Sequence, residues 1–247
     1  MGRTFALQLY SLRDRVEGDF AGQLKKVAAV GYRGVEFAGF HGIPANEMRA
    51  LLGALSLTPA GSHTPLEQLE NDLDAVIAYN RAIGTQAVVI PYAAFETEAD
   101  VERIVSLSRK IAPSIREAGM RLLYHNHHQE FNTKFDGKPV LELLRDRTAP
   151  EELEFELDIY WAAHAGYDPV QVMRDFGSRC VYVHAKDMNN RQEKKMTEVG
   201  TGVVDTAGVL AQCDRQGIPW VIVEQDEIEI DEYQSVEISL RNLSRMQ

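Results

Sequence analysis

Short runs of apolar residues alternate with longer amphipathic segments along the whole chain. The short runs are rich in Val, Leu and aromatic residues, which is typical of buried strands. The predicted strands are Phe5–Tyr10, Gly34–Gly39, Leu57–His63, Gln86–Tyr92, Arg121–His127, Leu153–Ile159, Val181–Asp187 and Trp220–Asp226. In the longer segments apolar residues recur about every 3.6 positions, as expected of helices that bury one face. The predicted helices are Phe20–Val30, Pro44–Leu55, Leu66–Ile83, Glu98–Ala118, Pro139–Arg145, Pro169–Phe176, Thr206–Gln216 and Glu232–Leu243.

The order of these elements predicts the architecture. Strand and helix alternate about eight times in 247 residues, which favours a single (β/α)₈ barrel domain over residues 1–247. An open, doubly wound sheet is the main alternative, and it usually carries a glycine-rich phosphate loop after its first strand. Here the first strand leads into QLYSLRDRV, which contains no glycine. The barrel is therefore the predicted fold.

Alternation within the strands predicts where the polar side chains point. In Leu153–Ile159 the apolar residues alternate with Glu154, Glu156 and Asp158, and other strands likewise pair an apolar face with a face that ends in an ionisable group. In a barrel the apolar faces meet the helices, and the ionisable groups converge at the C-terminal mouth, where barrel active sites lie. The residues predicted to face this interior are Gln8, Tyr10, Glu36, His63, His125, His127, Asp158, His184, Lys186 and Glu224.

Composition narrows the class of protein and its partners. The chain is 45% hydrophobic, which is ordinary for a globular protein, and no apolar run approaches the roughly 20 residues of a transmembrane helix. The N-terminal residues lack a signal-peptide pattern, so we expect a soluble, cytoplasmic protein that does not bind membranes. The net charge of −11 disfavours nucleic acid as a partner, because such binding needs Lys and Arg against phosphates. Cys180 and Cys213 are far apart in sequence and are expected to be packing residues.

The predicted interior also carries the donor atoms of a metal site. His, Asp and Glu side chains on neighbouring strands can surround a divalent cation such as Mn²⁺, Zn²⁺, Co²⁺ or Fe²⁺. Asp158, His184 and Glu224 stand at the ends of three successive predicted strands, which strengthens the prediction over any one of them alone. The stretch RLLYHNHHQEF, residues 121–131, adds three histidines at the end of the preceding strand. A lone carboxylate at a strand end is more often a helix cap or an ion-pair partner.

Several motifs in order resemble one known family over nearly the whole chain. They are LQLYSLRD, GYRGVEFAGF, GSH, YHNHHQEF, FELDIYWAAHAG, VHAKDM, VGTG and VIVEQD. Together they resemble the sugar phosphate isomerase/epimerase family of the xylose isomerase-like, AP endonuclease 2-type barrels. The resemblance implies a (β/α)₈ barrel with one divalent metal held by Glu, Asp, His and Glu on its last four strands.

Carried over by position, the resemblance assigns three metal ligands and one departure. Asp158, His184 and Glu224 match the last three ligands, and His125 stands where the family has its first Glu. In related ketose epimerases the first and last carboxylates also form the acid/base pair on opposite faces of the substrate. A histidine can still bind metal and transfer protons, but the symmetric mechanism with two Glu residues does not follow. Trp161 replaces a substrate-binding His of the epimerases and offers a sugar ring an apolar surface.

The remaining candidates each keep two interpretations. Lys186 could polarise a substrate oxygen or act as a base, or it could form an ion pair with Glu224 or Asp158. Glu36 could contact substrate or form a salt bridge in the barrel interior. The other candidates for substrate contact are His63, His127, Tyr10 and Trp161, each with a structural hydrogen bond or aromatic packing as its alternative. His128 is expected to be structural, and His41 and His164 have no predicted role.

These observations lead to ranked functional hypotheses. The first is a metal-dependent isomerase or epimerase of a keto-sugar or polyol-derived substrate, with Glu224, His125 or Lys186 moving protons through an enediolate. The same intermediate can expel a β-leaving group, so a lyase or dehydratase acting on a keto-sugar or 3-keto-glycoside is the close alternative. A non-catalytic sugar-binding barrel is a third hypothesis, and cleavage of abasic DNA is disfavoured by the net charge. A small-molecule sugar is the expected partner, and a homo-oligomer is compatible with the family.

Overall fold

The computed structural model describes residues 4–15 and 19–246. Within these residues eight parallel strands close a barrel, in which each strand pairs with its neighbours in sequence and the eighth pairs with the first. In order, the barrel strands are Thr4–Gln8, Gly34–Phe37, Thr58–His63, Ala87–Ile90, Arg121–His125, Glu154–Asp158, Cys180–Ala185 and Trp220–Val223. The predicted (β/α)₈ barrel is confirmed.

Helices follow the strands and cover the outside of the barrel. The α-helices of the described residues are Phe20–Val30, Ala45–Leu55, Leu66–Asn71, Leu73–Ile83, Glu98–Glu117, Gln129–Asn132, Val140–Arg147, Ile159–His164, Pro169–Phe176, Thr206–Gln216 and Glu232–Arg245. Their apolar faces pack on the outward side chains of the strands, such as Leu7, Val35 and Val221. Cys180 and Cys213 are buried in this layer, as predicted. No helix of the described residues is long and apolar enough to cross a membrane.

The predicted elements differ from the structure mainly at their ends. The predicted helix Leu66–Ile83 is two helices, because the backbone at Asp72 turns to φ −141°, ψ 38°. The fifth and eighth strands end at His125 and Val223, two and three residues before their predicted ends. At the mouth the chain leaves the ladder of hydrogen bonds while the apolar–polar alternation continues, so the pattern overextends the strands. Tyr10 for the same reason lies in a 3₁₀ turn, Leu9–Arg15, and not in the first strand.

The barrel interior is divided into an apolar floor and a polar upper half. The floor is filled by inward side chains of six strands, namely Ala6, Ala60, Ala87, Val89, Leu123, Tyr182, Trp220 and Ile222. Gly34 lies against the Trp220 indole, and a Cβ at this position would stand 2.4 Å from the ring. The large Trp220 ring therefore requires a glycine at this position of the second strand. Above this floor the inward positions carry carboxylates, histidines and a lysine.

Candidate active site and metal centre

The last four strands bring together the four residues that were predicted to bind metal. His125, Asp158, His184 and Glu224 are all buried, and one donor atom of each lies within 4.8 Å of the others. His125 Nε2 is 3.4 Å from Asp158 Oδ2 and 3.8 Å from Glu224 Oε2. His184 Nδ1 is 2.9 Å from Glu224 Oε2. We call these four residues the mouth cluster.

The local backbone explains why Asp158 points into this cluster. Asp158 ends the sixth strand, and its Oδ1 accepts a hydrogen bond of 2.9 Å from the backbone N–H of Trp161, which caps the helix Ile159–His164. The Asn126 side chain accepts from the Asp158 N–H at 3.1 Å and so ties the fifth strand to the sixth. Because these two hydrogen bonds hold Oδ1 and the backbone N–H of Asp158, the other carboxylate oxygen, Oδ2, faces the site.

The mouth cluster fits a divalent cation. His125 Nε2 is buried without a hydrogen-bond partner, although two carboxylate oxygens face it. Ligand atoms about 2.0–2.2 Å from one ion stand at most about 4.4 Å apart, which is close to the span of this cluster. Two imidazoles and two carboxylates are a donor set that suits Zn²⁺, Mn²⁺, Co²⁺ or Fe²⁺.

Lys186 lies beside the cluster and pairs with its carboxylates. Its Nζ is 2.7 Å from Glu224 Oε2, 3.1 Å from Asp158 Oδ2 and 2.9 Å from Asp226 Oδ2. Burial alone would lower the pKa of Lys186, but Asp158 and Glu224 outweigh it and raise the pKa well above its usual value. The ion-pair interpretation of Lys186 is therefore the one that the geometry supports, and at neutral pH this side chain is a proton donor, not a base.

The carboxylates of the site are held ionised by the same contacts. Burial would raise the pKa of Glu224, but Lys186 and His184 hold it well below its usual range. Burial likewise opposes ionisation of Asp158, but Lys186 and His125 lower its pKa to about 2. The ionised Glu224 carboxylate, a base, and the protonated Lys186 ammonium, an acid, are therefore buried in contact with each other.

Below the mouth, a second group of ionisable side chains surrounds the other nitrogen of His184. His184 Nε2 is 2.7 Å from Glu36 Oε2 and 3.2 Å from Glu156 Oε2. His63 Nε2 is 3.1 Å and 3.0 Å from the same two oxygens. Burial would lower the pKa of His63, but Glu36 and Glu156 outweigh it and raise the pKa to about 9. Glu36, His63, Glu156 and Nε2 of His184 are called the lower cluster below.

A cavity of about 880 Å³ opens above the mouth cluster. Its walls are aromatic and include Trp161, Phe40 and two exposed rings, Tyr10 at 43% and Tyr92 at 52% exposure. His127 also lines the cavity, and its pKa is lowered to about 3, first by burial and then by the neighbouring His125. The cavity therefore suits a ligand with apolar ring faces, and the ionisable groups of the mouth cluster lie at its base.

Comparison with known proteins identifies the family. The sequence model described as xylose isomerase-like TIM barrel matches residues 24–244. The chain belongs to this family. Members of the xylose isomerase-like family share the barrel but differ in reaction, so the individual relatives matter for function.

The relatives with curated names include several dehydratases. An inosose dehydratase of Geobacillus kaustophilus is 27% identical over 150 residues, which cover 53% of this chain and 47% of that protein. An inosose dehydratase of Lacticaseibacillus casei is 22% identical over 148 residues, which cover 53% of this chain and 49% of that protein. The match thus spans about half the length of these curated relatives.

Solved structures with the same barrel fold match nearly the whole chain. A sugar phosphate isomerase/epimerase of Parabacteroides distasonis superposes with a TM-score of 0.84 at 23% identity, covering 99% of this chain and 98% of that one. A probable 3-DHS dehydratase of Bacillus anthracis, involved in petrobactin synthesis, superposes with a TM-score of 0.77 at 15% identity, covering 98% of each chain. At these identities the likeness concerns the fold.

The residues predicted for the site of this xylose isomerase-like barrel lie at the mouth, with Glu36 as the exception. His63, His127, Trp161 and Tyr10 line the cavity. Glu36 lies below the mouth cluster and is fully buried against Gln8 and two histidines, so its geometry favours the salt-bridge alternative.

Sequence reasoning also missed part of the site. His128 was expected to be structural and His164 had no role, yet both line the cavity beside Trp161. Glu156 was left out of the interior set although strand parity puts it on the same face as Asp158. Asp226 and Tyr92 follow strand ends, where parity no longer predicts direction. His41 stacks on Phe20 away from the cavity.

Proposed function

We propose that the chain is a metal-dependent lyase that removes water from a polyhydroxylated ketone, with inosose as the first substrate to test. The observation that carries this proposal is the contact between Glu224 Oε2 and Lys186 Nζ at 2.7 Å, an ionised base and a protonated acid on one side of the site. The facing strand supplies His125 in place of a second carboxylate. Elimination needs a base for the α-proton and an acid for the departing hydroxyl, and Glu224 and Lys186 would supply one of each on the same side, whereas the epimerases that the sequence resembles use two carboxylates on opposite faces. The dehydratase names of the curated relatives agree with the same choice.

The chain's own residues account for the proton movements. Glu224, an ionised carboxylate, removes the proton from the carbon next to the ketone. The hydroxyl on the following carbon then departs as water, taking its proton from Lys186 and leaving an α,β-unsaturated ketone. The proton on Glu224 passes to Lys186 across their hydrogen bond, so that both groups return to their starting states. Because acid and base share one side, the elimination is expected to be syn.

The mouth cluster would hold the cation in this scheme. His125, Asp158, His184 and Glu224 would hold a divalent ion, which would supply a Lewis acid for the ketone oxygen. Trp161 and Tyr10, which line the cavity, would flank the substrate ring. The lysine and the carboxylates remain the groups that move protons.

Mass spectrometry of inosose incubated with the metal-loaded chain tests the proposal. The expected product has lost one water and absorbs in the ultraviolet as a conjugated enone. A product of unchanged mass with an altered configuration would instead establish the isomerase or epimerase hypothesis. Binding of inosose without any product, with each of the four candidate metals, would favour a non-catalytic sugar-binding barrel. In D₂O, label recovered in the unreacted ketone would report removal of the α-proton separately from loss of water.

A further inference from the structure

The lower cluster has the arrangement of a second cation site. Two imidazole nitrogens and two carboxylate oxygens converge there, and the four nitrogen–oxygen distances are 3.1, 3.0, 2.7 and 3.2 Å. Ligands in a tetrahedron about 2.0–2.1 Å from a zinc ion stand roughly 3.3 Å apart. A small expansion of the cluster would therefore place all four atoms at bonding distance from one ion.

The charges of the lower cluster would also be balanced by a divalent cation. Glu36 and Glu156 are completely buried, and each has one oxygen, Oε1, without a hydrogen-bond partner. Among the described ion pairs, their partners are His63 and His184, and neither carboxylate pairs with a lysine or arginine. The mouth cluster differs, because Lys186 neutralises its carboxylates. Without an ion, the two buried carboxylates depend on protonated histidines for their charge balance, and a divalent ion that displaces those protons would match the same charge.

The surrounding residues hold the cluster in place and leave a path to it. Gln8 Nε2 donates to Glu36 Oε2 at 2.9 Å. At Gly61 a Cβ would stand 2.2 Å from Glu36 Oε1, so only a glycine leaves room for the carboxylate. The His63 side chain is 9% exposed and lines the large cavity, which gives an ion access from the mouth.

We propose that Glu36, His63, Glu156 and Nε2 of His184 form a second divalent-cation site, and that His184 bridges it to the mouth cluster through Nδ1. Each ring nitrogen that binds an ion releases its proton to solvent, so that His184 is an imidazolate when both ions are present. The site shares His184 with the mouth cluster and so rests in part on the cation proposed there, but its test measures metal content and not turnover.

Metal stoichiometry of the full chain tests the proposal without substrate. The protein is stripped with a chelator, reloaded with Zn²⁺, freed of excess metal by gel filtration and subjected to elemental analysis. Two ions per chain are expected for the wild type, one for Glu156→Gln and one for Asp158→Asn. Glu154→Gln is the matched control, because Glu154 lies on the same strand but pairs with Arg121 at the surface, and it is expected to retain two.

Either of two results overturns the proposal. One is a wild-type chain that saturates with a single ion that Glu156→Gln keeps and Asp158→Asn loses, which would make the lower cluster a hydrogen-bond network around His184; a single ion with the opposite pattern would leave the lower site standing and count against the mouth cluster. The other is Glu156→Gln with an undiminished content of two. If Glu156→Gln does not fold, a Co²⁺ titration of the wild type and of Asp158→Asn decides, because tetrahedral Co²⁺ absorbs strongly in the visible. Saturation of that absorbance at two equivalents in the wild type and at one in Asp158→Asn supports the second site, and the absence of any Co²⁺ absorbance in Asp158→Asn excludes it.

Discussion

Replacement of Lys186 by methionine tests the charge balance of the mouth most directly. Methionine keeps much of the length and volume of lysine but removes the ammonium that lies within 3.1 Å of Asp158, Glu224 and Asp226. One such contact is worth roughly 5 kcal/mol before desolvation, at 3 Å and an effective dielectric constant of about 20. Most of that gain is offset by the burial of the ions, and breaking a buried pair by removing one partner costs about 3–5 kcal/mol. We expect the free energy of unfolding of the metal-free Lys186→Met chain to fall by that amount.

Metal should reverse part of this loss. The variant leaves more uncompensated negative charge at the mouth, so it is expected to bind a divalent cation about tenfold more tightly, or about 1.4 kcal/mol. Because a ligand stabilises the folded state according to its affinity, added Zn²⁺ should stabilise Lys186→Met more than the wild type.

Urea unfolding followed by circular dichroism, in chelator and in Zn²⁺, measures both effects. Lys195→Met is the matched control: Lys195 is exposed and pairs with Glu229, and its loss should leave the urea midpoint unchanged. If metal-free Lys186→Met unfolds at the same urea concentration as the wild type, the ammonium does not balance these carboxylates. Equal stabilisation of both proteins by Zn²⁺ would refute the proposal that the ion and Lys186 act on the same groups.

Three further predictions concern other parts of the barrel. In chelator, the raised pKa of His63, about 9 against an ordinary 6.5, gives stability that is complete below pH 6.5 and is lost as the pH rises through 9. The loss is up to about 3 kcal/mol in urea unfolding measured across this range, and His63→Gln should flatten it. Trp161→Ala removes the indole from the cavity wall and should raise KM for inosose about tenfold, with a smaller change in kcat. Steady-state kinetics measures both constants, and an unchanged KM would mean that the substrate binds away from Trp161. Gly34→Ala drives a Cβ to 2.4 Å from the Trp220 ring and should lower stability by about 1–3 kcal/mol, visible as a lower Tm, whereas Gly53→Ala, with open space around it, should not.

The sequence predicted the fold and the mouth cluster for a physical reason. Inward side chains repeat every second residue in a strand, and the ends of parallel strands meet at one rim, so Asp158, His184 and Glu224 could be brought together without a structure. The same rule places Glu156 on the inward face, two residues before Asp158 on the same strand.

Other features could not be derived from alternation. Asp226 and Tyr92 lie beyond the last residues of their strands, where the loop conformation sets the direction of each side chain. The break at Asp72 interrupts a continuous apolar stripe, and only packing against the barrel decides where such a stripe divides. The ion pair of Lys186 with Asp226 likewise depends on how the chain continues after the eighth strand, which ends at Val223.

The two oxygens of Asp158 link parts of the protein that would otherwise vary separately. One oxygen holds the start of the helix that carries Trp161 and His164, and the other faces His125 and Lys186. An insertion that changes the orientation of this helix, so that the cavity admits a different substrate ring, would therefore also move the Asp158 carboxylate in the mouth cluster. Tyr10 and Tyr92, which follow the first and fourth strands, have no such tether to Asp158 among the described contacts. New substrate preferences should thus be engineered or selected first on the tyrosine side, where the wall can change while the chemistry below it stays intact.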